Sequence, residues 1–158
     1  MPYSFPRTSL RLLMGADALS AFRLRGRQPD ATVTEGQLTR NWDVAAAALV
    51  GLLSVGFGAF AAHGIEDAKA VEWLKTASQY AAVHALAVLA VAALARGGFR
   101  PVRGTSAAFL VGVLVFSGSL VAMAFGAPRW FGAITPIGGV AFMVGWVLVM
   151  VGALRSRA

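Results

Sequence analysis

The chain contains no cysteine, and it has only two histidines and seven acidic residues among its 158 residues. Without cysteine it has no disulfide, no thiolate nucleophile and no cysteine-ligated metal. Charge is also scarce, because 13% of the residues are charged, whereas an ordinary soluble domain has about 25%. Since 58% of the residues are hydrophobic, the composition indicates an integral membrane protein and excludes an ordinary soluble domain.

Four apolar stretches are long enough to cross a bilayer as helices, which takes about 17–25 residues. Their approximate bounds are 44–62, 79–95, 106–127 and 130–154. The second is the shortest, but the residues before it show helical spacing, so its helix is expected to begin near Asp67, which would cap it, with Gly64 ending the first helix. We therefore predict an all-α membrane protein whose residues 44–158 form a four-helix transmembrane bundle.

The basic residues outside these stretches are unevenly distributed. The positive-inside rule predicts that the side of the membrane with more Lys and Arg is cytoplasmic. One side has Arg7, Arg11, Arg23, Arg25, Arg27, Arg40, Arg96, Arg100, Arg103, Arg155 and Arg157. The other side has Lys69, Lys75 and Arg129. Both termini are therefore predicted to be cytoplasmic. The net charge of +7 is explained by contact with anionic lipid headgroups and does not require nucleic-acid binding, since the arginines are not interleaved with aromatic residues on which bases would stack.

Residues 1–43 form a basic, partly flexible N-terminal extension in this interpretation. Residues 9–27, SLRLLMGADALSAFRLRGR, interleave arginine with Leu and Phe, as an interfacial amphipathic helix or a transit-like leader would. Residues 28–40 are polar enough for a flexible link. Because Asp17 interrupts the apolar part, a cleaved secretory signal is disfavoured, and we expect a loose or interfacial cytoplasmic extension.

Polar side chains recur at one depth of the predicted bundle. They lie roughly 15–22 Å from the cytoplasmic edge of a ~30 Å hydrocarbon core. This candidate polar layer contains Ser54, Tyr80, His84, Ser117, Ser119 and Thr135. For His84, three interpretations stay open: a hydrogen bond between helices with Ser117 or Ser119, a proton- or ligand-binding position, or a haem or metal ligand. The third has the least support, because no second ligand lies at that depth, and we predict no cofactor and no metal site.

His63, Glu66 and Asp67 are candidates at the outer end of the first helix. His63 is placed to bond the last free carbonyls of that helix beside one of the two carboxylates. A shallow metal site made by the three side chains is the alternative, and no spacing motif supports it.

Proline and small residues suggest how the helices pack. Pro136, six residues into the fourth stretch, is expected to kink that helix, giving either a simple bend or a locally opened helix that lines a cavity. Small residues repeat every four positions in two of the stretches, which predicts close helix contacts. They are Ser54, Gly58 and Ala62, and Gly118, Ala122 and Gly126.

The four tryptophans, Trp42, Trp73, Trp130 and Trp146, are interpreted as anchors at the membrane interfaces.

A resemblance to a known family rests on four blocks. They are GAFAAHG at 58–64, WLKTASQYAAVHALAVLAV at 73–91, FSGSL at 116–120 and ITPIGGVAFMVGW at 134–146. These resemble the domain of unknown function 423 family, whose eukaryotic relatives are called transmembrane protein 256, over about residue 44 to the end. The resemblance implies a compact four-helix inner-membrane protein of bacteria with no established activity. Residues 1–43 depart from the family pattern, as a misplaced start codon or a lineage-specific extension would explain.

These patterns disfavour an enzyme and leave two hypotheses for the function. The serines lack a base with an orienting carboxylate, and the glycine-rich runs lie inside spans where they do not cradle phosphates, so we predict that the protein is not an enzyme. One hypothesis is an accessory or structural association protein, acting with another membrane protein or with itself. The other is a small transporter or sensor with a polar binding layer around His84.

Overall fold

The computed structural model describes the backbone of residues 35–156 and the side chains of residues 42–156. This part of the chain is helical and contains no strand. Its helices are α1 (Glu35–His63), α2 (Ala68–Arg96), α3 (Thr105–Ala124) and α4 (Thr135–Arg155), with a 3₁₀ turn at Arg129–Ala133. All four are long and apolar enough to cross a membrane. The predicted all-α fold with four spanning helices is confirmed.

The N-terminal extension lies largely outside the described residues, since the description begins at residue 35. α1 starts at Glu35, upstream of the apolar stretch that we expected to begin at Val44. Residues 35–40, which the sequence interpretation placed in the flexible link, are therefore helical. The polar first turns extend the helix beyond the segment that needs to be apolar.

Each helix packs against the next one along the chain, so α2 and α3 lie centrally and α1 and α4 lie on the outside. Burial follows this order, with α2 the most buried of the four spans and α1 the least. Leu74, Val88 and Phe109 are completely buried in the centre. The outward faces are apolar, as bilayer lipid requires: they include Leu52, Leu86, Leu114, Ile137, Val147 and Leu154.

Contacts at the two ends hold the helices in place. At one end the α2–α3 loop meets the end of α4, where the Arg100 backbone N–H donates to Ser156 Oγ over 3.2 Å. At the other end Phe60 of α1 stacks on Phe125, which follows α3, with ring centroids 5.7 Å apart. Asp67 caps α2 by accepting a hydrogen bond from the Ala70 N–H over 2.7 Å, as predicted.

Pro136 does not kink a helix, so that prediction is wrong. The residues expected to begin the fourth helix form the 3₁₀ turn, and α4 itself begins at Thr135. Pro136 is thus in the first turn of α4, where the N–H that proline lacks would have no helical partner in any case. No carbonyl is exposed to a cavity by a broken helix at this position.

Close packing of α3 and α4 depends on glycines other than the predicted ones. A Cβ on Gly112 or Gly145 would approach the ring of Phe142 or Phe109, respectively, to less than 3.0 Å. Each phenylalanine therefore fills a notch in the opposite helix. The predicted α3 face is wrong, because Gly118 meets nothing within 4 Å. On α1, Ser54 is buried as expected, but Ala61 is buried in place of Ala62, since seven residues fit two helical turns better than eight.

Candidate functional site around His84

His84 lies on the face of α2 that is directed into the bundle. It is 4% exposed and shares that face with Ala77, Ala81 and Val88, which are spaced at helical periodicity. Its ring stacks on Phe142 of α4, with centroids 3.5 Å apart and planes 8° from parallel. The imidazole therefore fills a packed position between α2 and α4.

Both ring nitrogens of His84 have hydrogen-bond partners. Nδ1 lies 2.8 Å from the backbone oxygen of Tyr80, one turn earlier. Trp146 Nε1 of α4 donates to His84 Nε2 over 3.3 Å. Since a carbonyl only accepts and an indole N–H only donates, the geometry assigns the proton to Nδ1 and leaves Nε2 as an acceptor. This is a neutral imidazole with no donor or acceptor left over.

Trp146 is the partner that the sequence interpretation missed. One interpretation gave His84 a hydrogen bond from Ser117 or Ser119, and that bond is not formed, because both hydroxyls bond elsewhere. The assignment of Trp146 to a membrane interface is also wrong, since it lies nine residues before the end of α4, about 14 Å along the axis. The sequence did contain a signal, because Phe142 and Trp146 are four residues apart and so share one face of a helix.

The hydroxyls of the predicted polar layer do not meet at one site. Ser117 Oγ of α3 donates to the Ala77 backbone oxygen of α2 over 2.9 Å. Ser119 of α3 and Thr135 of α4 bond through their hydroxyls over 2.7 Å. The side chain of Ser78 on α2 donates to the backbone oxygen of Ser54 on α1. Each hydrogen bond thus joins two neighbouring helices, and the layer is a series of separate pairs.

The side chains of two other members of the layer, Ser54 and Tyr80, form no hydrogen bond to another helix of the described bundle. Ser54 is buried and its Oγ donates to the Gly51 backbone oxygen over 2.8 Å. Tyr80 is 43% exposed, and its ring packs on Phe116 with centroids 4.6 Å apart. Over residues 42–156, no buried side-chain nitrogen or oxygen lacks a hydrogen-bond partner. The interior of the described bundle therefore presents no polar atom that awaits a ligand.

The candidates at the end of α1 remain at the surface. His63, Glu66 and Asp67 are all exposed, and the Asp67 carboxylate is engaged in capping α2. Among the described residues, no three His, Asp or Glu side chains are close enough to hold a metal ion. Nearby, Lys69 and Glu72 form an exposed ion pair at 2.8 Å, which is typical of a solvated helix surface.

Comparison with known proteins identifies related chains. The family model described as Protein of unknown function (DUF423) matches residues 57–139. A UPF0382 membrane protein of Haemophilus influenzae is 43% identical over 114 residues, which cover 70% of this chain and 92% of the relative. The UPF0382 inner membrane protein YgdD of Escherichia coli is 39% identical, covering 70% and 88%. The UPF0382 membrane protein YwdK of Bacillus subtilis is 39% identical, covering 68% and 92%. No solved structure matches the chain.

Proposed function

Since this chain belongs to the DUF423 family of unknown function, we propose its role from its own geometry: an accessory or structural protein that acts by associating with another membrane protein or with itself. The family resemblance of the four sequence blocks is confirmed. The protein is a small multi-pass protein of the bacterial inner membrane, surrounded by lipid, and its activity is unknown.

The hydrogen bonding of His84 is the observation that carries this proposal. A carrier or sensor uses intramembrane polar groups to bind its ligand, so those groups need free donors or acceptors in some state. Here Tyr80 and Trp146 occupy both imidazole nitrogens, and the surrounding hydroxyls hold neighbouring helices together. This arrangement supports a structural use of the polar residues.

The outer surface supports association for a second reason. α1 and α4 make no extensive contact with each other, and both present large apolar side chains outward. Examples are Leu52, which is 69% exposed, and Met143, which is 61% exposed. Such faces contact lipid or the apolar faces of other membrane helices, where van der Waals packing drives association.

Absence of enzymatic activity is part of the same proposal. The buried serine hydroxyls donate to backbone oxygens or pair with Thr135, and none donates to a histidine. A serine nucleophile requires a base that accepts its proton, and the only buried histidine among the described residues bonds Tyr80 and Trp146 instead.

The cytoplasmic location of both termini is likewise proposed from charge. The end of the bundle that contains the α2–α3 loop has Arg96, Arg100, Arg103 and Arg155. At the opposite end, Lys69, Lys75 and Arg129 are balanced by Glu66, Asp67 and Glu72. The positive-inside rule favours the first end as cytoplasmic.

Cysteine labelling tests this orientation, because the chain has no cysteine of its own. In intact cells that express the single variants Pro101→Cys or Glu66→Cys, a membrane-impermeant maleimide should label only Glu66→Cys. Labelling of only Pro101→Cys would show the opposite orientation.

Association is tested by photo-crosslinking from the outward faces. A photoreactive amino acid is placed at Leu52 of α1, Leu86 of α2 or Met143 of α4 in the chromosomal copy, and adducts in native nanodiscs are identified by mass spectrometry. A stoichiometric protein adduct from at least one face, absent when the same residue is placed at buried Leu74, is expected. Recovery of only monomer and lipid adducts from all three faces would contradict the proposal.

A further inference from the structure

An apolar groove of about 430 Å³ separates α1 from α3, with α2 as its floor. Leu53 of α1 and Leu114 of α3 line its two sides, and Ala77 and Ala81 of α2 line part of its floor. Gly118 leaves the α3 wall open, because a Cβ there would meet nothing within 4 Å. Since the groove is apolar and opens at membrane depth, its natural occupant is a hydrocarbon chain.

The groove has the length of one leaflet. Its α1 wall runs from Ala46 to Phe57, which corresponds to about 16 Å of helix. This is half of the ~30 Å hydrocarbon core. The groove therefore matches one acyl chain of the leaflet on the side of the α2–α3 loop.

A second cavity, of about 290 Å³, lies at that same end of the bundle. Among the residues whose side chains the structure describes, the charged lining residues are Asp43 of α1 and Arg103 of the α2–α3 loop, and these two do not form an ion pair with each other. The lining of the cavity continues into the lining of the groove on both α1 and α3. On α1, Asp43 of the cavity is three residues before Ala46 of the groove, and on α3, Ala107 of the cavity is three residues before Leu110 of the groove. A headgroup in the cavity and an acyl chain in the groove would thus belong to one molecule.

We propose that one phospholipid with a zwitterionic, amine-bearing headgroup binds along α1 and α3, with its headgroup in the cavity and an acyl chain in the groove. Its phosphate contacts Arg103, its ammonium contacts Asp43, and an acyl chain occupies the groove. A purely anionic headgroup satisfies Arg103 but places negative charge beside Asp43, so the pair of opposite charges selects the zwitterion. This inference does not depend on the proposed association.

Lipid retention tests the proposal directly. The full chain is reconstituted in vesicles of equal phosphatidylethanolamine and phosphatidylglycerol content, extracted in a mild detergent and examined by native mass spectrometry. One retained phospholipid is expected, with phosphatidylethanolamine favoured about fivefold, the ratio expected for one headgroup contact. Equal retention of the two lipids, a preference for phosphatidylglycerol, or no retained lipid would overturn the proposal.

Charge variants separate the two headgroup contacts. Arg103→Gln should lower retention of both lipids about fivefold, whereas Arg155→Gln, exposed at the same end but outside the cavity, should match the unmodified protein. Asp43→Asn should keep the lipid but lose the preference between the two headgroups. Unchanged retention in Arg103→Gln, or an unchanged preference in Asp43→Asn, would contradict the assigned contacts.

Filling the groove tests the acyl contact. Gly118→Leu should occupy the groove and abolish retention, while Gly139→Leu, at a glycine of α4 whose Cβ likewise meets nothing within 4 Å, should retain lipid normally. Thermal unfolding of both variants checks that they fold. Normal retention by folded Gly118→Leu would show that the groove does not hold the chain, and the two charge variants decide the proposal if Gly118→Leu does not fold.

Discussion

Trp146 of α4 donates its indole N–H to Nε2 of His84 on α2 across 3.3 Å. The bond connects two helices that are not consecutive in the chain, while Phe142 stacks on the same imidazole one turn earlier in α4. A polar side chain in hydrocarbon must find a partner inside the protein. Trp146 therefore explains how a histidine is accommodated in the middle of this bundle.

The first prediction concerns the tautomer of His84. In ¹⁵N-histidine-labelled protein in bilayers at neutral pH, its Nδ1 should be protonated and its Nε2 bare, because Tyr80 O accepts and Trp146 donates. Solid-state ¹⁵N NMR distinguishes the two nitrogens. The chain has only one other histidine, His63, so a His63→Gln sample assigns the signals. A ring protonated at Nε2 would contradict the hydrogen bond from Trp146.

Removing the indole donor should weaken the bundle. Trp146→Phe keeps an aromatic ring but leaves His84 Nε2 without its donor, and we expect a loss of about 0.6–2 kcal/mol in the free energy of unfolding. Denaturation in mixed micelles measures this loss. Trp130→Phe is the matched control, since Trp130 is 62% exposed and its ring packs against that of Phe131. Equal losses in the two variants would show that the bond adds no stability.

Two adjacent glycines of α4 should respond differently to the same substitution. A Cβ on Gly138 would collide with the backbone of Phe116, whereas one on Gly139 meets nothing within 4 Å. Gly138→Ala should therefore destabilise the protein by about 1–3 kcal/mol through overpacking. Gly139→Ala should be neutral or stabilise by up to about 1 kcal/mol. Thermal unfolding of the pair in one detergent makes the comparison, and equal melting temperatures would argue against this close approach of α3 and α4.

The cap of α2 gives a prediction outside the hydrocarbon. Asp67→Ala removes the acceptor for the Ala70 N–H and should reduce stability by about 0.5–2 kcal/mol, whereas Asp67→Asn should retain most of it. Glu66→Ala, at the exposed residue just before the cap, is the control. The free energies of unfolding of the three variants should rank Asp67→Ala lowest. A loss in Asp67→Asn as large as that in Asp67→Ala would indicate that charge, not the hydrogen bond, matters here.

Local features of the chain were predictable because they depend on neighbouring residues. Asp67 was recognised as a cap, and the apolar stretches were recognised as spans, since a bilayer demands about 20 apolar residues per helix whatever surrounds it. The error at Pro136 was also local in origin. An apolar run does not show where its α-helix begins, and the 3₁₀ turn at Arg129–Ala133 takes up the residues before the proline.

Composition, apolar stretches and motif blocks are enough to identify a four-span membrane protein of a recognisable family, with a histidine in the middle of its second helix. What that histidine contacts depends on tertiary packing. Depth along a helix follows from counting residues, but the direction of each side chain around the axis depends on how the helices are rotated against one another. In the folded bundle, Phe109 and Phe142 fit against Gly145 and Gly112 between α3 and α4, while Trp146 meets His84 and the serines bond other partners.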